Sequence, residues 1–379
     1  MGVELGGADA LLIIGDSERN ADLYYATRFR APDPFVFVWT ATEKILMVSN
    51  LELDRARSQA QVDRVLASAH YEKLVRQAGE ETPSSHRVLL GMLQHLGLEA
   101  LRVPADFPLE PADLLREAGL QLDVAPAPLF PTRQLKRPEE IAAIRGAMRA
   151  AERGMAVAME AIREASVRDD VLYLEGEILS SERVRRLIHL ELMAADCTAQ
   201  RTIVSCGADS CDPHQEGRGP LRAGAPIIID IFPRDNASGY FGDITRTVVK
   251  GAAPPPLRAL YDAVHRGQRL ALERVTAGAD GRQIHRAVLD LFADEGHETG
   301  EKDGHMQGFF HSTGHGLGLE IHEAPSIGPR GDVLQAGQVV TVEPGLYYPG
   351  LGGVRLEDVV AVEDKGATNL TTFPVYLEV

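Results

Sequence analysis

Positive charge is scarce in this chain. Lys and Arg number 39 against 55 Asp and Glu, a net charge of −16, and such a surface repels nucleic acid and anionic membranes at long range. Neither is expected as a partner. No apolar run approaches the roughly 20 residues needed to cross a bilayer, and Met1 to Ala10 carry neither the basic start nor the apolar core of a secretory signal. Gly2 follows Met1, but Gly6 stands where a myristoylation motif needs Ser or Thr. Cysteine is also rare. Cys197, Cys206 and Cys211 are an odd number with no zinc-type spacing, so reduced thiols and a cytoplasmic protein are expected.

What is present suits an ordinary packed protein: 379 residues, 44% hydrophobic and 25% charged, long enough for two cores. In the first third, the runs Ala10 to Ile14, Phe35 to Trp39, Ile45 to Val48 and Val88 to Leu90 read as strands, with a polar helix over Glu52 to Leu66. That alternation predicts a small α/β domain. Pro126, Pro128 and Pro131 then interrupt any regular pattern and mark a linker, dividing a domain over 1–131 from one over 132–379. Pro138, Glu139 and Glu140 form a favourable first helical turn, and Ile141, Ile144 and Met148 recur at helical spacing.

The second domain contains an internal repeat. Leu221-Arg222-Ala223-Gly224 leads into Ile227 to Ile229 and Asp230, and Leu334-Gln335-Ala336-Gly337 leads into Val339 to Val342 and Glu343. Each copy continues through a Gly-containing turn to a second strand with another acid: Asp243 before Ile244 to Thr247, and Glu357 before Asp358 to Val360. Helical pairs precede both, over about 138–165 with 169–188 and about 256–276 with 280–296. Two such units predict a pseudo-symmetric domain.

Acids at the ends of apolar strands are costly to bury without positive charge beside them. Four of them, Asp230, Asp243, Glu343 and Glu357, point to a pair of divalent ions, because bridging carboxylates hold two ions close enough to activate one water. The separation of Asp230 from Asp243 leaves open whether both face the same way. His311-Ser312-Thr313-Gly314-His315-Gly316-Leu317-Gly318, followed by Glu320-Ile321-His322-Glu323, adds three imidazoles within a glycine-rich frame. Glycine permits close approach to an ion, and imidazole is the commonest nitrogen ligand.

Together these residues resemble the methionine-aminopeptidase-like, pita-bread metallopeptidases, in the branch containing prolidase (Xaa-Pro dipeptidase) and aminopeptidase P. The resemblance implies an α/β (α+β) chain: a small creatinase-like N-terminal domain, then a pseudo-symmetric pita-bread catalytic domain. It also implies five metal ligands in the order Asp230, Asp243, His315, Glu343 and Glu357. Asp230 would hold one ion, Asp243 and Glu357 both, and His315 with Glu343 the other. Glu343 would also take the proton from the attacking water, with His214 and His322 steadying the oxyanion and leaving group. His311 and Arg355 match substrate-lining positions. Two departures bear on the pocket: Asp230 is followed by Ile231-Phe232-Pro233-Arg234 where a small residue is usual, and the turn to Asp243 is slightly longer.

The implied activity is hydrolysis of Xaa-Pro dipeptides with two divalent ions per chain. Manganese, cobalt and zinc all suit four oxygen donors and one imidazole. The alternatives are an aminopeptidase P acting on longer Xaa-Pro peptides and a non-catalytic peptide-binding module of the same fold. The family also implies a homodimer in which the N-terminal domain limits the peptides that can enter.

Overall fold

The computed structural model describes residues 4–379. Met1 and Gly2, and with them part of the signal and myristoylation reading, lie outside the described residues. The chain divides into two compact units, Met1–Arg133 and Gln134–Val379.

The first unit is built on β1 (Ala10–Gly15), α1 (Ala21–Thr27), β2 (Phe35–Thr40), β3 (Lys44–Val48), α2 (Leu53–Gln59), β4 (Arg64–Ala67), α3 (Ser68–Gln77), α4 (Ser85–Leu96), β5 (Ala100–Val103), α5 (Leu109–Glu117) and β6 (Gln121–Val124). Its strands form one mixed sheet in the order β4-β3-β2-β1-β5-β6. Leu12, Val38, Ile45, Leu93 and Leu101 fill one core with it. Two expectations are corrected here. Val88 to Leu90 is part of α4, begun by the Ser84 side chain accepting the Arg87 N–H and ended by Gly97 at φ 68°; a short apolar run alone does not separate buried helix from strand. The helix expected over Glu52 to Leu66 stops at Gln59, and Arg64–Ala67 pairs parallel with β3 instead.

The second unit opens with α6 (Pro138–Glu164), whose Glu140 carboxylate caps the Arg137 N–H. The helix expected from Asp169 is corrected as well: β7 (Ser166–Arg168), β8 (Val171–Leu174) and β9 (Glu177–Ile178) come first, and α7 spans only Ser181–Ala194. Asp169-Asp170 and Glu175-Gly176 all have positive φ, the conformation of tight two-residue hairpin turns. Next come β10 (Cys197–Thr198), β11 (Ile203–Cys206), β12 (Ile227–Ile231), β13 (Arg234–Asp235) and β14 (Ile244–Val248). The second half contains α8 (Pro255–Arg274), α9 (Gly281–Asp294), β15 (Gly300–Lys302), β16 (His305–Gln307), β17 (Gly314–Gly316), β18 (Glu323–Ile327), β19 (Val339–Val342), β20 (Gly345–Tyr348), β21 (Gly352–Arg355), β22 (Asp358–Val362) and β23 (Ala367–Asn369).

The repeat read in the sequence is visible in the backbone. Gly224 and Gly337 both take positive φ, 71° and 89°, before β12 and β19. β12 pairs antiparallel with β14, and β19 with β22. The halves join where the Glu357 N–H donates to the Thr245 carbonyl at 3.0 Å and the Thr247 hydroxyl donates to the Arg355 carbonyl at 2.8 Å. Among the described residues, no helix is long and apolar enough to cross a membrane.

Candidate active site

Strand register decides where the acids point. Asp230 lies opposite Thr245 and Ile231 opposite Ile244, so one further step sets Asp243 opposite Phe232, on the face Asp230 uses. That settles the parity left open by the sequence. In the other half Val342 lies opposite Asp358, and one further step sets Glu343 opposite Glu357. Each strand pair thus delivers two carboxylates to the same end.

The third contribution comes from β17. The His315 N–H donates to the Thr341 hydroxyl at 3.1 Å, beside the strand that leads to Glu343. His315 Nε2 lies 3.3 Å from Glu343 Oε1 and 3.8 Å from Asp243 Oδ2. Ligand atoms of Asp243, His315 and Glu357 all fall within 4.8 Å of one another. The His322 ring packs edge-on against that of His315, centroids 4.3 Å apart.

All the residues singled out in the sequence line one cavity of about 770 Å³: Asp230, Asp243, Glu343 and Glu357, His214, His311, His315 and His322, and Arg355. His214 is exposed at the mouth, its N–H held by Asp212 Oδ1 at 3.0 Å. Phe232, from the unusual segment after Asp230, supplies part of the wall, while Arg234 turns away to the Gly239 carbonyl at 3.1 Å.

Arg355 is held on all sides. Its Nη2 pairs with Asp230 Oδ2 at 2.7 Å and its Nη1 donates to the Tyr347 hydroxyl at 3.0 Å. His311 Nδ1 lies 2.8 Å from the Ser312 carbonyl; a carbonyl only accepts, so that nitrogen carries the proton. Its Nε2 therefore accepts from the Tyr347 hydroxyl, 3.0 Å away. Tyr347, Thr245 and Thr341 are the residues that sequence reading missed. Thr245 donates to Glu357 Oε2 at 2.7 Å, and its alternation with Asp243 was the available signal; nothing in Leu346-Tyr347-Tyr348 says which tyrosine faces inward.

The electrostatics of the cluster are those of crowded acids. Burial, then Glu357, Asp230 and Glu343, hold the Asp243 carboxyl well above its ordinary range. Burial and then Glu357 do the same to Glu343, and burial followed by Asp230 pushes Glu357 up to about 8. Burial and the His322 ring push His315 down to about 3, and burial with Arg355 does so for His311. The imidazoles are neutral donors of electron pairs, as metal ligands must be. Asp230 Oδ1 is buried with no hydrogen-bond partner, although its other oxygen is paired. An orphaned buried oxygen, compressed carboxylates and a neutral imidazole fit divalent cations.

Paired β-strands that close on such a cluster define the frame of a metal-dependent hydrolase. The chain belongs to metallopeptidase family M24, whose pattern matches residues 142–364. It is 33% identical over 241 residues to the Xaa-Pro dipeptidase of Pyrococcus furiosus, a match that spans 63% of each chain and so less than two thirds of the relative. It is 29% identical over 349 residues to the putative dipeptidase YkvY of Bacillus subtilis, spanning 89% of this chain and 86% of that one. The solved prolidase from Pyrococcus furiosus superposes with a TM-score of 0.78 at 25% identity, over 97% of this chain and 98% of that one. The α/β fold with a pita-bread second unit, expected from the sequence, is the fold observed.

Proposed function

We propose that the chain is an Xaa-Pro dipeptidase that uses two divalent ions, manganese, cobalt or zinc. The observation that carries this reading is the convergence of five ligand-type side chains, with Asp230 Oδ1 left without a partner. The similarity to an Xaa-Pro dipeptidase favours the dipeptidase over an aminopeptidase P, and the complete ligand set argues against a non-catalytic binding module.

Asp230, Asp243, His315, Glu343 and Glu357 would hold the ions. Divalent ions supply a water acidified to near neutral pH and a polarised carbonyl. Glu343 accepts the proton from the attacking water. His322 and His214 stand at the cavity wall to donate to the developing oxyanion and leaving group. Phe232, Phe310 and Ile203 give the proline ring an apolar surface. His311 and Arg355 border the substrate, with Tyr347 fixing both. Residues 132–379 form the catalytic domain and 1–131 the N-terminal domain of a cytoplasmic homodimer. The cytoplasm suits three unpaired cysteines.

The test is to assay metal-reconstituted protein on an Xaa-Pro dipeptide beside an Xaa-Pro-Xaa tripeptide. Cleavage of the dipeptide at the higher kcat/KM is expected. Preference for the tripeptide would establish the aminopeptidase, and hydrolysis of neither would exclude both.

A further inference from the structure

Asp243 lies between β14 and the Phe241–Arg234 bridge, and the Gly242 N–H beside it donates to the Pro233 carbonyl at 3.0 Å. The strand pairing thus continues on both sides of Asp243 but leaves its own N–H to another partner. That partner is on one face of α6. The buried Tyr240 hydroxyl donates to Glu140 Oε1 at 2.6 Å. Gly242 lies so close to the helix that a Cβ there would fall 2.7 Å from the Ala147 carbonyl carbon and from the Met148 nitrogen. The Asp243 N–H points at the Met148 sulfur, 3.2 Å away. Positions 140, 147 and 148 share one helical face, and Met148 is fully buried.

We infer that Met148 is a positioning residue for the metal centre: its thioether accepts the backbone N–H of Asp243 and, with the Glu140–Tyr240 bond and the Gly242 contact, seats the Tyr240–Asp243 segment on α6. Sulfur is a weak acceptor on an adaptable side chain, so the contact stabilises little by itself. What it does is orient. Without that acceptor the buried N–H is left unpaired, and the backbone shift that relieves it carries the Asp243 carboxylate with it. Groups that orient metal ligands typically change metal affinity by about 10–100-fold when removed.

The inference rests on the metal-centre reading, and the test separates the two. Manganese binding to the full chain is measured by titration calorimetry for wild type, Met148→Leu and Met155→Leu. Leucine conserves volume and apolarity but removes the acceptor, and Met155 is an equally buried methionine on the same helix. Met148→Leu is expected to weaken manganese binding about tenfold, with Met155→Leu binding as wild type. Equal affinities in the two variants would overturn the inference and leave the metal centre standing. No manganese bound by wild type would overturn the metal-centre reading itself. Should Met148→Leu not fold, Tyr240→Phe keeps the ring and removes the bond to Glu140. Weakened manganese binding there supports the seat on α6, and wild-type binding overturns it.

Discussion

Glu343 and Glu357 face each other one step beyond their strand ladder, and the chemistry proposed for them is separable by substitution. Glu343→Gln removes a ligand and the base while keeping shape, so turnover should fall by about 100- to 10,000-fold; a folded variant that kept most of its rate would remove Glu343 from that role. Glu357 makes a second prediction, on stability. Its carboxyl titrates at about 8 in the fold against 4.5 ordinarily, so between those values the native state holds a proton that the unfolded chain has lost. Stability of chelator-treated protein must then fall as pH rises through that window. Thermal melts from pH 5 to pH 8 should show the decline, and Glu357→Gln should make it shallower, the raised Asp243 and Glu343 carboxyls contributing the rest. The acids and His315, which line one cavity, were legible in the sequence as belonging together, from residue type and repeat position. Tyr347 and the Arg355–Asp230 pair were not, because a hydroxyl or guanidinium acquires its partner only through a register that no local pattern encodes.

At the level of elements, the site depends on strands packed backbone to backbone. Gly314 shows the tolerance: a Cβ there would lie 1.9 Å from the Thr341 carbonyl oxygen, forcing β17 away from β19. Gly314→Ala should therefore cost about 1–3 kcal/mol or more and weaken metal binding, because His315 and Glu343 move apart; a variant with an unchanged melting temperature and unchanged metal affinity would contradict this. The helices α6, α8 and α9 were readable from period and termini: Asp280 caps α9 through the Arg282 N–H, and proline starts α6 and α8. The β7–β9 meander was not, since its turns at Asp169-Asp170 and Glu175-Gly176 use left-handed residues other than the expected Asn-Gly pair. The α4 segment was misjudged on three apolar residues, although Ser84 and Gly97 marked both of its ends.

In the whole molecule, the unit that carries the proposed ligands follows an N-terminal unit that supplies none of them. If the latter serves to restrict access between two copies, light scattering should give twice the 41.2 kDa chain mass, and kcat/KM should drop as peptides lengthen beyond two residues. A monomer with no length preference would contradict that role. The central claim is that crowded strand-end acids exist to hold two cations, and metal analysis of the active enzyme tests it most directly. Two divalent ions per chain are expected, with hydrolysis abolished by chelation and restored by added manganese or cobalt. Full activity with no more than trace metal would contradict it.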